Sequence, residues 1–309
     1  MSHLQWGPGE SGGSVSDRMV SDMSTQDHPG VRLRRAMASG TVMCPGAFNA
    51  LVARAVARAG FNAVYISGGA SANSAGYPDV GLLSLTEMCR NIREVSTASG
   101  LPVVVDADTG YGEVEMVHRT VVEYARAGAA ALHLEDQVFP KRCGHLDGKQ
   151  LVPVEHMVEK VRAASESRPD DGFVVIARTD AASVNGLDDA IDRGMKYREA
   201  GADMIFPEGL RTEEEFKTFA DACPGLLLAN MTEFGKTPMI NVRTFSDMGY
   251  DLVLYPVTMQ RVAMAAVTKG LTELAEKGSA ESFLDAMQTR TELYDLLGYT
   301  PGEEWPFPS

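Results

Sequence analysis

A (β/α)₈ barrel is the fold this sequence predicts, and three observations predict it. Eight short apolar runs follow one another from residue 41, each apolar along most of its length, as parallel strands covered on both faces must be. Amphipathic stretches separate them, the alternation expected of repeated right-handed βα units. Polar residues gather at the carboxyl ends of the runs, the end where barrels of this class keep their sites.

The first run, Thr41–Ala47, leads into an amphipathic stretch, Phe48–Ala59, with apolar residues at Leu51, Val52, Ala55 and Val56. Ala63–Gly69 and Pro102–Asp108 are the next two runs, followed by a helix pattern over Val114–Ala127 and a fourth run, Ala131–Asp136. Helix Glu155–Ser165, run Phe173–Asp180, helix Asp188–Glu199 and run Met204–Glu208 continue the alternation, and Leu226–Asn230 and Leu252–Pro256 complete the eight. The phrases Arg58-Ala59-Gly60, Arg126-Ala127-Gly128 and Glu199-Ala200-Gly201 recur just before runs and read as helix C-caps. Past the eighth run, Arg261–Glu276 and Ser279–Leu297 read as two more helices. The second exceeds the needs of a barrel, and its apolar residues could pack on the same chain or on a partner subunit. Residues 1–30 hold turn formers without periodicity and read as a mobile tail. The expected division is a tail over 1–30, a barrel over 31–278 and an assembly arm over 279–309.

Composition narrows the function. With 44% hydrophobic and 23% charged residues, the 309-residue chain has ample material for a core. Its 28 Lys and Arg against 42 Asp and Glu give a net charge of −14, which disfavours nucleic acid or an anionic membrane as the main partner. No run of 18 apolar residues occurs and the N-terminus lacks an apolar signal segment, so a cytoplasmic enzyme is expected. Cys44, Cys89, Cys143 and Cys223 are widely spaced without a C-x-x-C pair, which signals neither a zinc site nor a disulfide framework.

Candidate chemistry sits at the run ends. Asp106-x-Asp108 puts two carboxylates at one end and Glu135 and Asp136 close the next, the hard oxygen set Mg²⁺ takes. Solvated or hydrogen-bonded carboxylates would look the same. Ser67-Gly68-Gly69 supplies consecutive backbone N–H groups for a carboxylate, or simply a tight turn. Arg178 ends an apolar strand and must meet a carboxylate, from the protein or from a ligand. In Lys141-Arg142-Cys143-Gly144-His145 a thiol lies between cations, which suits it to proton transfer. Gly144 and Gly148 would let that loop move as a lid; an incidental surface cysteine is the plainer reading. Tyr65 is a candidate base and His133 a supporting core residue.

Taken in order, Tyr65-Ile66-Ser67-Gly68-Gly69, Asp106-Ala107-Asp108-Thr109-Gly110-Tyr111-Gly112, His133-Leu134-Glu135-Asp136-Gln137, Lys141-Arg142-Cys143-Gly144-His145 and Ala177-Arg178-Thr179-Asp180 resemble the isocitrate lyase and phosphoenolpyruvate mutase superfamily. Phe206-Pro207-Glu208, Asn230-Met231-Thr232 and Met287-Gln288-Thr289-Arg290 extend the resemblance over about residues 31 to 300. It implies a Mg²⁺-dependent lyase, with Mn²⁺ as a substitute, that splits 2-methylisocitrate into pyruvate and succinate. It also implies a homotetramer that exchanges its C-terminal helices, with a small di- or tricarboxylic acid as the only other partner. By motif, Asp106, Asp108 and Glu135 would serve the metal. Ser67, Gly68, Gly69, Gly144, His145, Arg178, Glu208, Asn230, Thr232 and Arg261 would hold the substrate, and Cys143 would be the acid. The alternatives are cleavage of 2,3-dimethylmalate or oxaloacetate, C–P bond chemistry on phosphonopyruvate, and a non-catalytic binding barrel. Phe206, Leu254 and Pro256 are expected to line a niche for the substrate's methyl group.

Overall fold

Parallel pairing runs through eight strands in the order β1-β8-β7-β6-β5-β4-β3-β2 of a computed structural model that describes residues 27–144, 146 and 148–306. The strands are β1 Val42–Pro45, β2 Val64–Ile66, β3 Val103–Asp106, β4 Ala129–Glu135, β5 Val174–Thr179, β6 Met204–Pro207, β7 Leu226–Asn230 and β8 Leu252–Tyr255. A parallel bridge between Gly46 and Tyr65 brings β1 back to β2 and all but closes the barrel. The predicted fold class is the one observed; seven of the eight apolar runs contain their strand, and β4 starts two residues before its run, at Ala129.

Helix α1, Pro29–Ala38, precedes the barrel. It begins inside the segment read as a tail, where the His28 ring caps the Gly30 N–H at 3.1 Å and Pro29 presets the first turn. The rest of that reading, residues 1–26, lies outside the described residues. The outer helices are α2 Ala50–Arg58, α3 Gly68–Ser74, α4 Leu85–Ser99, α5 Val114–Ala127, α6 Val154–Glu166, α7 Leu187–Glu199, α8 Glu213–Ala222 and α9 Val242–Asp247. Gly60, Gly128 and Gly201 of the recurring phrase all have left-handed φ, at +84°, +104° and +107°, which explains glycine at each.

The strand period of two sorts the core. Outward residues such as Val105, Leu132, Leu134, Ala177, Ile205 and Val253 meet the helices. Inward residues, among them Cys44, Tyr65, Val104, Ala131, Ile176, Phe206, Leu228 and Leu254, fill the barrel, with Leu33 and Met37 of α1 in the same cluster. Cys44, Cys89 and Cys223 are buried and pack in the core.

The C-terminal region differs from expectation. Helix α10, Thr258–Lys277, contains the predicted Arg261–Glu276 segment, but Ser279–Leu297 is not one helix. A 3₁₀ turn covers Glu281–Ala286, and α11, Arg290–Leu297, starts afresh. The cause is local: Thr289 and Glu292 form a capping box, which satisfies the first N–H groups of a new helix. Helix α11 lies on α2 of the same chain, joined by an Arg58–Asp295 ion pair, and Arg54 stacks on Trp305 at 5.7 Å. No helix among the described residues is long and apolar enough to cross a membrane.

Candidate active site

Strand parity builds the site. Because Tyr65, His133 and Phe206 point inward, residues two further along or level with them do so too: Glu135, Arg178 and Glu208 converge at the carboxyl end of the barrel. All three are buried. Arg178 Nη1 lies 3.2 Å from Glu135 Oε2 and 3.7 Å from Glu208 Oε2. Asn230 Nδ2 donates to Glu208 Oε2 at 3.0 Å. Arg178 also makes a two-pronged contact with Asp180, at 3.0 and 3.1 Å, so both readings of its charge are open at once: protein carboxylates pair it, and its face toward the barrel mouth meets the loop.

Asp136 parts from its neighbour. The sequence grouped Glu135 and Asp136 as one acidic pair, but adjacent strand residues face opposite ways. Asp136 accepts from the Thr179 hydroxyl at 2.8 Å, the Asp180 N–H at 2.9 Å and the Tyr197 hydroxyl at 2.8 Å, and pairs with Arg193 at 3.3 Å. It ties β4, β5 and α7 together behind the site.

Asp106 ends β3, and Asp108 stands in the turn beyond it with φ +46°. That turn is braced from outside: the Tyr124 hydroxyl donates to the Asp106 carbonyl at 3.0 Å, and Lys160 donates to the Thr109 carbonyl at 3.0 Å. The two carboxylates close on residue 68, where a Cβ would lie 2.9 Å from Asp106 Oδ2 and 3.2 Å from Asp108 Oδ1. Gly68 is required there. Its N–H donates to Asp106 Oδ2 at 3.1 Å, while Ser67 caps α3 through the Ala70 N–H at 3.2 Å. The expected turn at Ser67-Gly68-Gly69 is thus the start of a short helix.

Lys141 is the residue the sequence reading misplaced. It was taken as a cation beside the Cys143 thiol, yet its buried ammonium goes to Asp79 at 2.5 Å and Asp108 at 2.8 Å. A lysine beside an apolar strand end had to find carboxylates once buried, which was the available signal. Asp79 carried no signal of its own, while Asp180 stood in the Arg178-Thr179-Asp180 run end without a role assigned to it. Burial works against the Asp106 carboxylate, but His133, Lys141 and Arg178 outweigh it and hold it down to about 2. Burial and the neighbouring Asp106 push Asp108 up to about 6, against Lys141. Burial also drives Glu135 well above the carboxylate range, with Arg178 and Lys141 opposing.

Tyr65 lies against His133. Its hydroxyl lies 2.8 Å from His133 Nε2, and burial followed by Asp106 raises its pKa well above 10, with Arg178 opposing. Burial lowers His133 to about 4. A base role for Tyr65 requires a bound cation and Arg178 to reverse the rise in its own pKa.

The remaining candidates divide. Cys143 is half-buried, and Gly144 is buried directly over Arg178 and Glu208. Thr232 is buried just past β7. His145 lies outside the described residues. Arg261 does not join the cluster: it stands 3.5 Å from Glu233 and its guanidinium stacks on Phe234 at 5.2 Å. Phe206 lies beneath Arg178, 5.2 Å from its guanidinium carbon, with Leu254 in the same interior cluster.

A divalent cation fits this set. Neither oxygen of Glu135, nor Asp108 Oδ1, takes part in a hydrogen bond, although each residue faces a cation. No group of three His, Cys, Asp or Glu side chains among the described residues is placed to hold a metal ion by itself, but Mg²⁺ asks for only one or two carboxylates and completes its shell with water and substrate oxygens.

The comparisons agree with the geometry. The sequence profile of the phosphoenolpyruvate phosphomutase family matches residues 33–275. The chain is 51% identical to a probable 2-methylisocitrate lyase 1 of Corynebacterium glutamicum, over 82% of this chain and 84% of that one. A solved structure of 2,3-dimethylmalate lyase superposes with a TM-score of 0.83 at 37% identity, covering 88% of this chain and 92% of that chain. One of phosphonopyruvate hydrolase, in complex with oxalate and Mg²⁺, superposes with a TM-score of 0.79 at 30% identity, covering 88% and 95%. With inward carboxylates, buried arginine and cysteine loop arranged on a parallel barrel, and with relatives matched over most of its length, this chain belongs to the phosphoenolpyruvate mutase/isocitrate lyase superfamily.

Proposed function

We propose that the chain is a carbon–carbon lyase that cleaves 2-methylisocitrate to pyruvate and succinate, with Mg²⁺ held by Asp106, Asp108 and Glu135. The observation that carries this reading is the meeting of three parts at one barrel mouth: carboxylate oxygens without hydrogen-bond partners, the Arg178 guanidinium, and the backbone of the Cys143 loop laid across it. The 51% identity to a probable 2-methylisocitrate lyase supports the substrate.

Retro-aldol cleavage needs the substrate's 2-hydroxyl to lose its proton and the far carbon to gain one. A bound Mg²⁺ would supply Lewis acidity to the 2-hydroxyl oxygen, the same atom that becomes the ketone of pyruvate. The 2-hydroxyl proton would pass to Tyr65, the candidate base, and the protein supplies the remaining groups. Arg178, fixed by Asp180 and flanked by Glu135 and Glu208, offers a guanidinium to a substrate carboxylate. Gly68, Gly69, Asn230 and Thr232 border the same mouth. Cys143 gives its thiol proton to the carbanion carbon of the departing succinate and must regain a proton before the next turnover. The Gly144 backbone lying over Arg178 and Glu208 keeps water from doing so first.

Substrate choice is tested at the methyl group. Phe206 and Leu254 form an apolar floor under Arg178, and an extra methyl in an apolar niche is worth about 10–200-fold in kcat/KM. The expected result is that 2-methylisocitrate exceeds isocitrate by that ratio when pyruvate release is followed. Equal values, or faster turnover of 2,3-dimethylmalate, would remove the substrate assignment and leave the lyase.

We further propose a homotetramer, and move the assembly arm from 279–309 to α10. All of α10 is at least partly exposed, with Val262 62% and Leu271 61% accessible along its length, more apolar surface than one helix leaves to water without a partner. A second copy of the chain would cover it. Val262→Asp with Leu271→Asp should give a folded monomer by light scattering. A monomeric wild type would refute the assembly.

A further inference from the structure

Lys149 follows the cysteine loop, and no step described so far uses it. Its side chain is buried, and its ammonium donates to two acceptors: the Gly144 carbonyl within the loop, and Asp180 Oδ1 at 2.7 Å. Asp180 is the carboxylate that grips Arg178 at 3.0 and 3.1 Å. Asp180 itself does not move easily, because its backbone N–H is held by Asp136 at 2.9 Å and its neighbour Thr179 by the same carboxylate at 2.8 Å. One lysine therefore joins the loop backbone to the fixed partner of the substrate-binding arginine.

The loop sits hard against what lies beneath. A Cβ at residue 144 would fall 2.5 Å from Arg178 Nη2 and 2.5 Å from Glu208 Cγ, so only glycine lets the chain rest there. If the loop lifts, Gly144 takes its carbonyl away, and Lys149 keeps Asp180 but loses half of its buried hydrogen bonding. A buried ammonium without enough acceptors is costly. Seating the loop removes that cost.

We propose that Lys149 is a positioning residue that seats the Cys143 loop on Arg178. Its two bonds couple the loop's closed position to the fixed Asp180–Arg178 pair. The inference rests on reading that loop as the carrier of the proton donor, but it concerns the loop's position and is measurable without turnover.

The probe is alkylation by N-ethylmaleimide of the full-length protein without substrate, with added groups counted by mass. Cys44, Cys89 and Cys223 are buried and Cys143 is half-buried, so the first thiol to react reports the loop. Lys149→Met should raise that rate about tenfold or more, the scale of a lost charge-assisted hydrogen bond. Gly144→Ala should raise it independently, by steric expulsion. The double variant should react faster than either single, up to the rate of a fully exposed thiol, because both lift the same loop. Should Lys149→Met not fold, Lys149→Gln, which keeps a shorter donor, takes its place with a smaller rise. A wild-type rate in the lysine variant, or early labelling of a second thiol, would overturn the proposal, the latter by showing a general loosening of the barrel. A protein that shows the expected labelling but cleaves no diacid would refute the lyase reading and leave the latch intact.

Discussion

Replacing Asp108 by Ala is expected to lower pyruvate release from 2-methylisocitrate by about 10³-fold at limiting Mg²⁺, the rate equivalent of roughly 4 kcal/mol. Asp108 stands opposite Asp106 across Gly68 with Lys141 against its Oδ1, and its loss removes one of the few oxygens turned toward the barrel mouth. Asp79, Asp106, Asp108, Glu135, Asp180 and Glu208 outnumber Lys141, Lys149 and Arg178 there. A pocket with that balance repels a polycarboxylate unless another cation enters it. Excess Mg²⁺ should therefore recover part of the variant's rate, with water replacing the missing ligand. EDTA should silence the wild type, and Mg²⁺ or Mn²⁺ should restore it. Full activity in EDTA would refute the metal reading.

The second large effect is expected at Cys143. Cys143→Ser exchanges a thiol for a hydroxyl whose proton is far harder to give up, and removing a general acid costs about 10²–10⁴-fold. The fall should appear in kcat, with product binding close to wild type, because Arg178 and the carboxylates beneath the loop stay in place. A variant with wild-type kcat would end the assignment of the acid. Serine at this site also removes the reactive thiol from the alkylation assay, which checks that Cys143 is the group being read.

Much of the architecture was legible because its signals are local. Continuous apolar runs can only be strands covered on both faces, and the Ala-Gly phrases end helices by a backbone rule that needs no tertiary partner. The run ends likewise marked Asp106, Arg178 and Glu208 as candidates. Misreadings came where a second local signal competed, as at Thr289, where the capping box outbid the apolar pattern of a longer helix.

The sequence by itself determined the barrel, the carboxyl-end location of the site and the motifs that tie the chain to its superfamily, since each follows from periodicity or from residues close together in the chain. Tertiary structure alone decided which of those residues meet. It turned Glu135 into the barrel and Asp136 out of it, sent Lys141 to Asp79 and Asp108, tied Lys149 to Asp180, and left Arg261 with Glu233. The physical reason is that a buried charge takes whichever opposite charge the fold brings within about 4 Å, where low polarity makes the attraction strong. Partners such as Lys141 and Asp79, 62 residues apart in the chain, become neighbours only when the barrel closes.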